Sequence, residues 1–129
     1  MRQASRKPDP LVPVGYAQNV PIAMGRDVHV FSLFTGFLPE TRLPIYFVSC
    51  PTLYDRPGTY TADGDGHVRF AFLSRAAIES CQRMAFSPDV FHVHDWHTAL
   101  LPLYLKTRYA WDALFHRTKT VLTIHNAGY

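Results

Sequence analysis

Apolar positions along the chain fall into short runs broken by turn-forming residues, the pattern of an α/β protein rather than a helical bundle. Val28–Leu33 (VHVFSL) and Leu43–Cys50 (LPIYFVSC) have the length and the β-branched and aromatic content of strands. Gly36 and Pro39 within Thr35–Thr41 predict a loop between them, and Pro44 suits the start of a strand but not its middle. His67–Met84 spaces Val68, Ala71, Phe72, Ala76, Ile78 and Met84 as an amphipathic helix does, with Asp63 or Asp65 available to cap its start. Two further runs, Val90–Val93 and Val121–Ile124, flank a segment, Thr98–Tyr109, in which Leu101, Leu105 and Tyr109 recur every fourth residue. Pro102 is tolerable in the first turn of that helix. Trp111–His116 reads as a further helical turn and Lys119–His125 as the last strand.

Strand, crossover helix and strand make a βαβ unit, and its two strands run parallel. In an open parallel sheet, ligands bind beyond the carboxyl ends of the strands. Here those ends carry His94-Asp95-Trp96-His97 and His125-Asn126, so both polar clusters fall on one edge.

Composition narrows the function classes. At 129 residues the chain is one domain or part of one, and a hydrophobic fraction of 47% excludes a disordered chain. No apolar run approaches the ~20 residues of a membrane span, and prolines at 8, 10 and 13 interrupt any signal-peptide core; a cytoplasmic protein is expected. The net charge of +3 comes from Arg2, Arg6 and Lys7, and the remaining residues balance. A neutral body with a basic tail argues against nucleic-acid binding. Residues 1–21, polar and with four prolines, read as a tail or linker, leaving 22–129 as the domain. Pro51–Gly66, rich in Gly, Pro and Asp, reads as a long irregular loop bearing Tyr54, Asp55, Arg56 and Tyr60. Cys50 and Cys81 are too few and too far apart for a disulfide scaffold or zinc knuckle and read as buried free thiols.

The chemistry candidates lie in the two clusters. His92, His94 and His97 suggest a metal, but HVHDWH departs from the metallo-hydrolase pattern HxHxDH and no Cys or Glu supports it. No metal is expected, and a metallo-hydrolase stays as a lesser alternative. Asp95, between strand end and helix start, has N-cap as its plain structural role and remains compatible with a binding edge. Trp96 is either core or a flat stacking surface for a sugar ring. His125 and Asn126 either finish a strand or hydrogen-bond a substrate hydroxyl.

PDVFHVHDWHTALLPLYLK and KTVLTIHNAGY, with PTLYDRPGTY and HVRFAFLSRAA, resemble in order and spacing the N-terminal domain of bacterial glycogen synthases and plant starch synthases. The resemblance runs from about Phe31 to the end. It departs at Asp65-Gly66-His67-Val68-Arg69-Phe70, where the family has Asn after Asp, and at Ala127-Gly128 before Tyr129. It implies the partial N-terminal half of a GT-B fold, two Rossmann-like domains facing across a cleft. It also implies retaining transfer of glucose from ADP-glucose to the non-reducing end of an α-1,4-glucan, with no cofactor. By resemblance Asp95 and His125 are catalytic, beside the transferring glucose, and Tyr60, Trp96 and Asn126 bind substrate. The family's Lys-x-Gly-Gly loop and its C-terminal domain have no counterpart in the sequence, so a fragment truncated at both ends and inactive alone is expected, with that domain as its partner. The alternative is a non-catalytic glucan-binding module using Tyr60 and Trp96.

Overall fold

The computed structural model describes residues 10–127. Its elements in chain order are β1 (Val12–Pro13), β2 (Val20–Met24), β3 (Asp27–Phe37), β4 (Pro44–Ser49), α1 (Pro51–Tyr54), α2 (Gly66–Arg83), β5 (Val90–His94), α3 (Asp95–Thr98), α4 (Leu101–Lys106), a 3₁₀ turn (Ala113–Phe115) and β6 (Lys119–Thr123).

The parallel pairing of the βαβ unit is present. β5 and β6 run together with His92 opposite Val121, Val93 opposite Leu122 and His94 opposite Thr123. The four upstream strands differ from a parallel sheet: β3 pairs antiparallel with β1, β2 and β4. The reason is short connections, since a hairpin can join only antiparallel neighbours. β2 turns into β3 through Gly25-Arg26, and Gly25 at φ +66° supplies the left-handed first position that such a turn needs. β3 also runs through Gly36 to Phe37, so the connection to β4 is shorter than the expected Thr35–Thr41 loop.

The stretch read as a tail is folded where it is described. Residues 1–9 lie outside the described residues. From there on, β1 and the start of β2 join the sheet, and Val14, Ala17 and Val20 are buried. Pro21 faces outward between the buried Val20 and Ile22, the placement a strand allows a residue that cannot donate to a ladder.

Two apolar clusters flank α2. One joins Val20, Ile22, Phe31 and Leu33 of the antiparallel sheet to Phe72 and Ala76 of α2. Phe72 is fully buried, with Phe31 edge-on at 6.2 Å and His29 at 5.7 Å. The other joins Ile78 and Cys81 of α2 to Val93, Leu101, Leu105, Tyr109 and Phe115. A helix buried on both sides carries apolar residues on more than one stripe, as α2 does.

Three local expectations are corrected. Pro51–Tyr54, expected as loop, forms one helical turn with Pro51 in its first turn. At α2, Asp65 holds the N-cap position without a side-chain cap bond; its carboxylate pairs instead with Arg56 at 2.6 Å. The expected Thr98–Tyr109 helix is shorter, α4 over Leu101–Lys106, and does not continue back into α3, because Pro102 has no N–H for the carbonyl of Thr98 and its ring clashes there. Cys50 and Cys81 are free and buried, and burial pushes the Cys81 thiol up to about 11.

Candidate active site

The carboxyl edge of β5 and β6 gathers the motif residues. Asp95 follows β5 at φ +56°, a left-handed conformation that Asp tolerates better than most side chains. Its Oδ1 accepts a hydrogen bond from the His125 backbone N–H at 2.7 Å. One carboxylate thus ties the end of β5 to the residues just past β6. His94, at the N-cap position of α3, is held from the other side: Thr98 Oγ1 accepts from the His94 N–H at 2.9 Å and donates to the His94 carbonyl at 3.0 Å. The cap suggested for Asp95 is not made: His94 holds the N-cap position with no side-chain cap bond, and the Asp95 carboxylate instead reaches across the edge.

Alternation sorts the side chains. His92, His94, Thr123 and His125 form a polar row: His92 Nε2 lies 2.7 Å from Thr123 Oγ1, and His94 Nδ1 lies 2.9 Å from His125 Nε2. The His94 ring lies tilted against His92 at 4.3 Å and stacks with His125 at 5.2 Å between ring centres. Elsewhere on the edge, Asp95, Trp96, Ala99, Leu122, Ile124 and Asn126 line a cavity of about 340 Å³. That is at the small end of the ~300–1,000 Å³ usual for ligand clefts. A larger hollow of about 480 Å³ opens between Leu105, Tyr109, Phe115 and Lys119, at the opposite end of β6 from His125, and none of the five sequence-predicted residues lines it.

Trp96, 44% exposed, presents one ring face to His97 at 4.4 Å and takes Phe70 of α2 edge-on at 4.9 Å. His97 Nε2 in turn meets the Tyr60 hydroxyl at 2.7 Å. Tyr60 therefore reaches the edge through His97, and its own ring is 67% exposed. The segment that carries it is braced by Arg56, which donates to Asp63 and Asp65 at 2.6 Å each. Hydrogen bonds from Thr61 and Arg56 hold the Asp63 carboxyl below the usual carboxylate range. Tyr54 donates to the Arg69 carbonyl at 2.8 Å, and burial pushes its hydroxyl pKa up. Arg69 is buried and within 3.4 Å of Asp65 Oδ1, yet its Nε makes no hydrogen bond: the pair is close but misaligned.

Asp95, Trp96 and Asn126 thus share one cavity, His125 is joined to it through Asp95, and Tyr60 stands one histidine away. Phe70 and Thr98 were not singled out, and His94 and His97 were weighed only as metal ligands. Their only advance signal was position, inside or beside the strings that also hold Asp95 and Arg69. Among the described residues no group of three or more His, Cys, Asp or Glu side chains is placed to hold a metal ion; His97 is engaged with Tyr60 while His92 and His94 belong to the row facing Thr123 and His125.

Comparison with known proteins adds what the geometry leaves open. The sequence model of the starch synthase catalytic domain family matches residues 2–129. The chain belongs to that family. The match begins well ahead of the boundary expected at residue 22. The glycogen synthase of Photobacterium profundum is 47% identical over 94 residues, 70% of this chain and 18% of that protein. Glycogen synthase 1 of Geobacter sulfurreducens is 45% identical over 98 residues, 73% of this chain and 20% of that protein. The chain therefore spans about a fifth of the length of these relatives. Its fold is that of the GT-B starch synthase catalytic domain. The catalytic domain of starch synthase IV from Arabidopsis thaliana, solved bound to ADP and acarbose, superposes with a TM-score of 0.77 at 23% identity, covering 95% of this chain and 24% of that one.

Proposed function

We propose that the chain is part of a retaining glucosyltransferase, active in the cytoplasm, that moves glucose from ADP-glucose to the non-reducing end of an α-1,4-glucan without metal or other cofactor. The observation that carries the reading is the single edge on which Asp95 and His125 are hydrogen-bonded together beside a cavity lined by Trp96 and Asn126. Glucosyl transfer builds positive charge on the sugar and negative charge on the departing diphosphate. The cavity lining holds one carboxylate and neither Lys nor Arg, so it suits the sugar and not the diphosphate. Asp95 stabilises the developing positive charge, His125 donates to a glucose hydroxyl, and Asn126 adds a donor and an acceptor. Trp96 and Tyr60 offer exposed ring faces to the pyranose units. Cations for the diphosphate then come from a C-terminal domain of the kind the relatives' greater length accommodates.

The test is a chimera of the Photobacterium profundum glycogen synthase in which the matched stretch is replaced by that of this chain. Transfer from ADP-glucose to maltooligosaccharide is expected, and Asp95→Ala or His125→Ala is expected to remove it. Unchanged turnover in both variants would exclude these residues from the mechanism. A silent chimera, together with maltooligosaccharide binding by this chain that depends on Tyr60 and Trp96, would favour the binding-module reading.

A further inference from the structure

The row of histidines carries a consequence for how His125 presents its protons. The 2.9 Å bond between His94 Nδ1 and His125 Nε2 needs a proton on one nitrogen and a lone pair on the other. At least one of the two rings is therefore neutral whenever the bond exists. His92 does not compete for His94 Nδ1, because its own Nε2 is taken by Thr123. Among the described residues, His94 is the one hydrogen-bond partner of the His125 ring.

The bond could run either way, and two features favour one direction. The Asp95 carboxylate sits on the His125 main-chain N–H. Of the two ring nitrogens, Nδ1 is the nearer to the main chain, so a negative charge there favours the proton on Nδ1 over Nε2. Among the described residues the His94 ring pairs with His125 and no carboxylate, so its Nδ1 can carry the proton.

We infer that His94 is a positioning residue: its Nδ1–H donates to His125 Nε2, fixing His125 as the Nδ1–H tautomer and leaving that N–H as the one donor its ring can offer a ligand hydroxyl. The ligand class is a polyol or sugar, whose hydroxyl oxygens accept such a bond. The tautomer rests on the geometry alone; its importance for transfer rests on the function proposed above.

Long-range ¹⁵N correlation spectra of the uniformly labelled chain decide the tautomer. Wild type is expected to show His125 protonated at Nδ1 and bare at Nε2. His94→Asn places an amide N–H where Nδ1–H stood and is expected to keep that state. His94→Gln, whose amide reaches the position of Nε2 instead, is expected to release His125 to the Nε2–H form that an unconstrained imidazole prefers. Protonation at Nε2 in wild type, or the same His125 tautomer in the Asn and Gln variants, would overturn the inference. Comparing two amide variants keeps the test readable even if His94→Ala fails to fold.

A second readout separates this idea from the functional one. In the chimera, His94→Gln is expected to lower kcat roughly tenfold, the weight of one ordinary hydrogen bond, with KM little changed, and His94→Asn to restore it. Equal kcat in both variants would sink the positioning role. A chimera without activity, beside spectra that show the expected tautomer, would count against the proposed reaction and leave the tautomer assignment standing.

Discussion

Asp95 combines two demands that few residue types meet. Its backbone sits at φ +56°, where a β-branched or bulky side chain would be strained, and its carboxylate accepts from the His125 N–H. Asn tolerates the same backbone and its amide oxygen accepts the same bond, but it carries no charge. Asp95→Asn is therefore expected to leave stability within about 0.5 kcal/mol of wild type in urea melts. In the chimera its activity is expected to fall by ~10²–10³, the usual cost of losing one group that stabilises transition-state charge. Asp95→Ala loses both the acceptor and the tolerated backbone, so it is expected to destabilise by about 1–3 kcal/mol as well. Equal activity in the Asn and wild-type proteins would mean that Asp95 acts only as the clasp between the strand ends.

At the scale of elements, α2 opens with Gly66, directly under Trp96. A Cβ built there would meet Arg69 Nη2 and the Trp96 ring at 3.9 Å, ordinary contact distance. Gly66→Ala should thus fit without strain and stabilise the chain by about 0.4–1 kcal/mol by restricting the unfolded state; a lower urea midpoint would show that the Trp96 side is less accommodating than these distances indicate. What could be read in advance divides along the same lines. β5, α2 and β6 were legible because their patterns are local: an apolar run ended by a polar cluster, or a helical repeat. The Val20–Met24 strand was missed because Pro13 and Pro21 dominate its neighbourhood and its partner, β3, supplies the evidence for it. Pro102 does lie in the first turn of its helix, α4; what its position also implies is the break from α3, since a proline allowed at one helix start equally ends the helix before it. The link from Tyr60 to His97 spans 37 residues and leaves no mark in either local string. That the two motif clusters share one edge follows from the local strings; the contact by which Tyr60 reaches that edge does not.

Across the whole molecule, α2 is the shared wall of both apolar clusters, and Arg75 fastens them together. Buried Arg75 donates to the Ala23 carbonyl of β2 and, through Nε, to the Tyr109 hydroxyl at 3.1 Å, while Tyr109 donates to Glu79 at 2.7 Å. The acids in this region are held protonated. Burial raises the Cys81 thiol from 9.0 to about 11. Burial first, with the Glu79 contact working in the same direction and the Arg75 hydrogen bond against it, raises the Tyr109 hydroxyl from 10.0 to about 12. The unfolded chain gives up these protons at lower pH than the folded one, so the unfolded state binds fewer protons across the interval and stability falls as pH rises. For Cys81 the contribution is complete below pH 9 and is lost on approaching pH 11; for Tyr109 the interval is 10 to 12. Urea midpoints for the wild-type chain are therefore expected to hold steady from pH 7 to 8.5 and to decline beyond pH 9. Cys81→Ala opens a small cavity and should begin from a lower midpoint, but between pH 9 and 10, before Tyr109 contributes, its decline is expected to be shallower. Parallel wild-type and variant curves in that interval would mean that the thiol ionises alike in both states, and that the wall formed by α2 is looser around Cys81 than its packing implies.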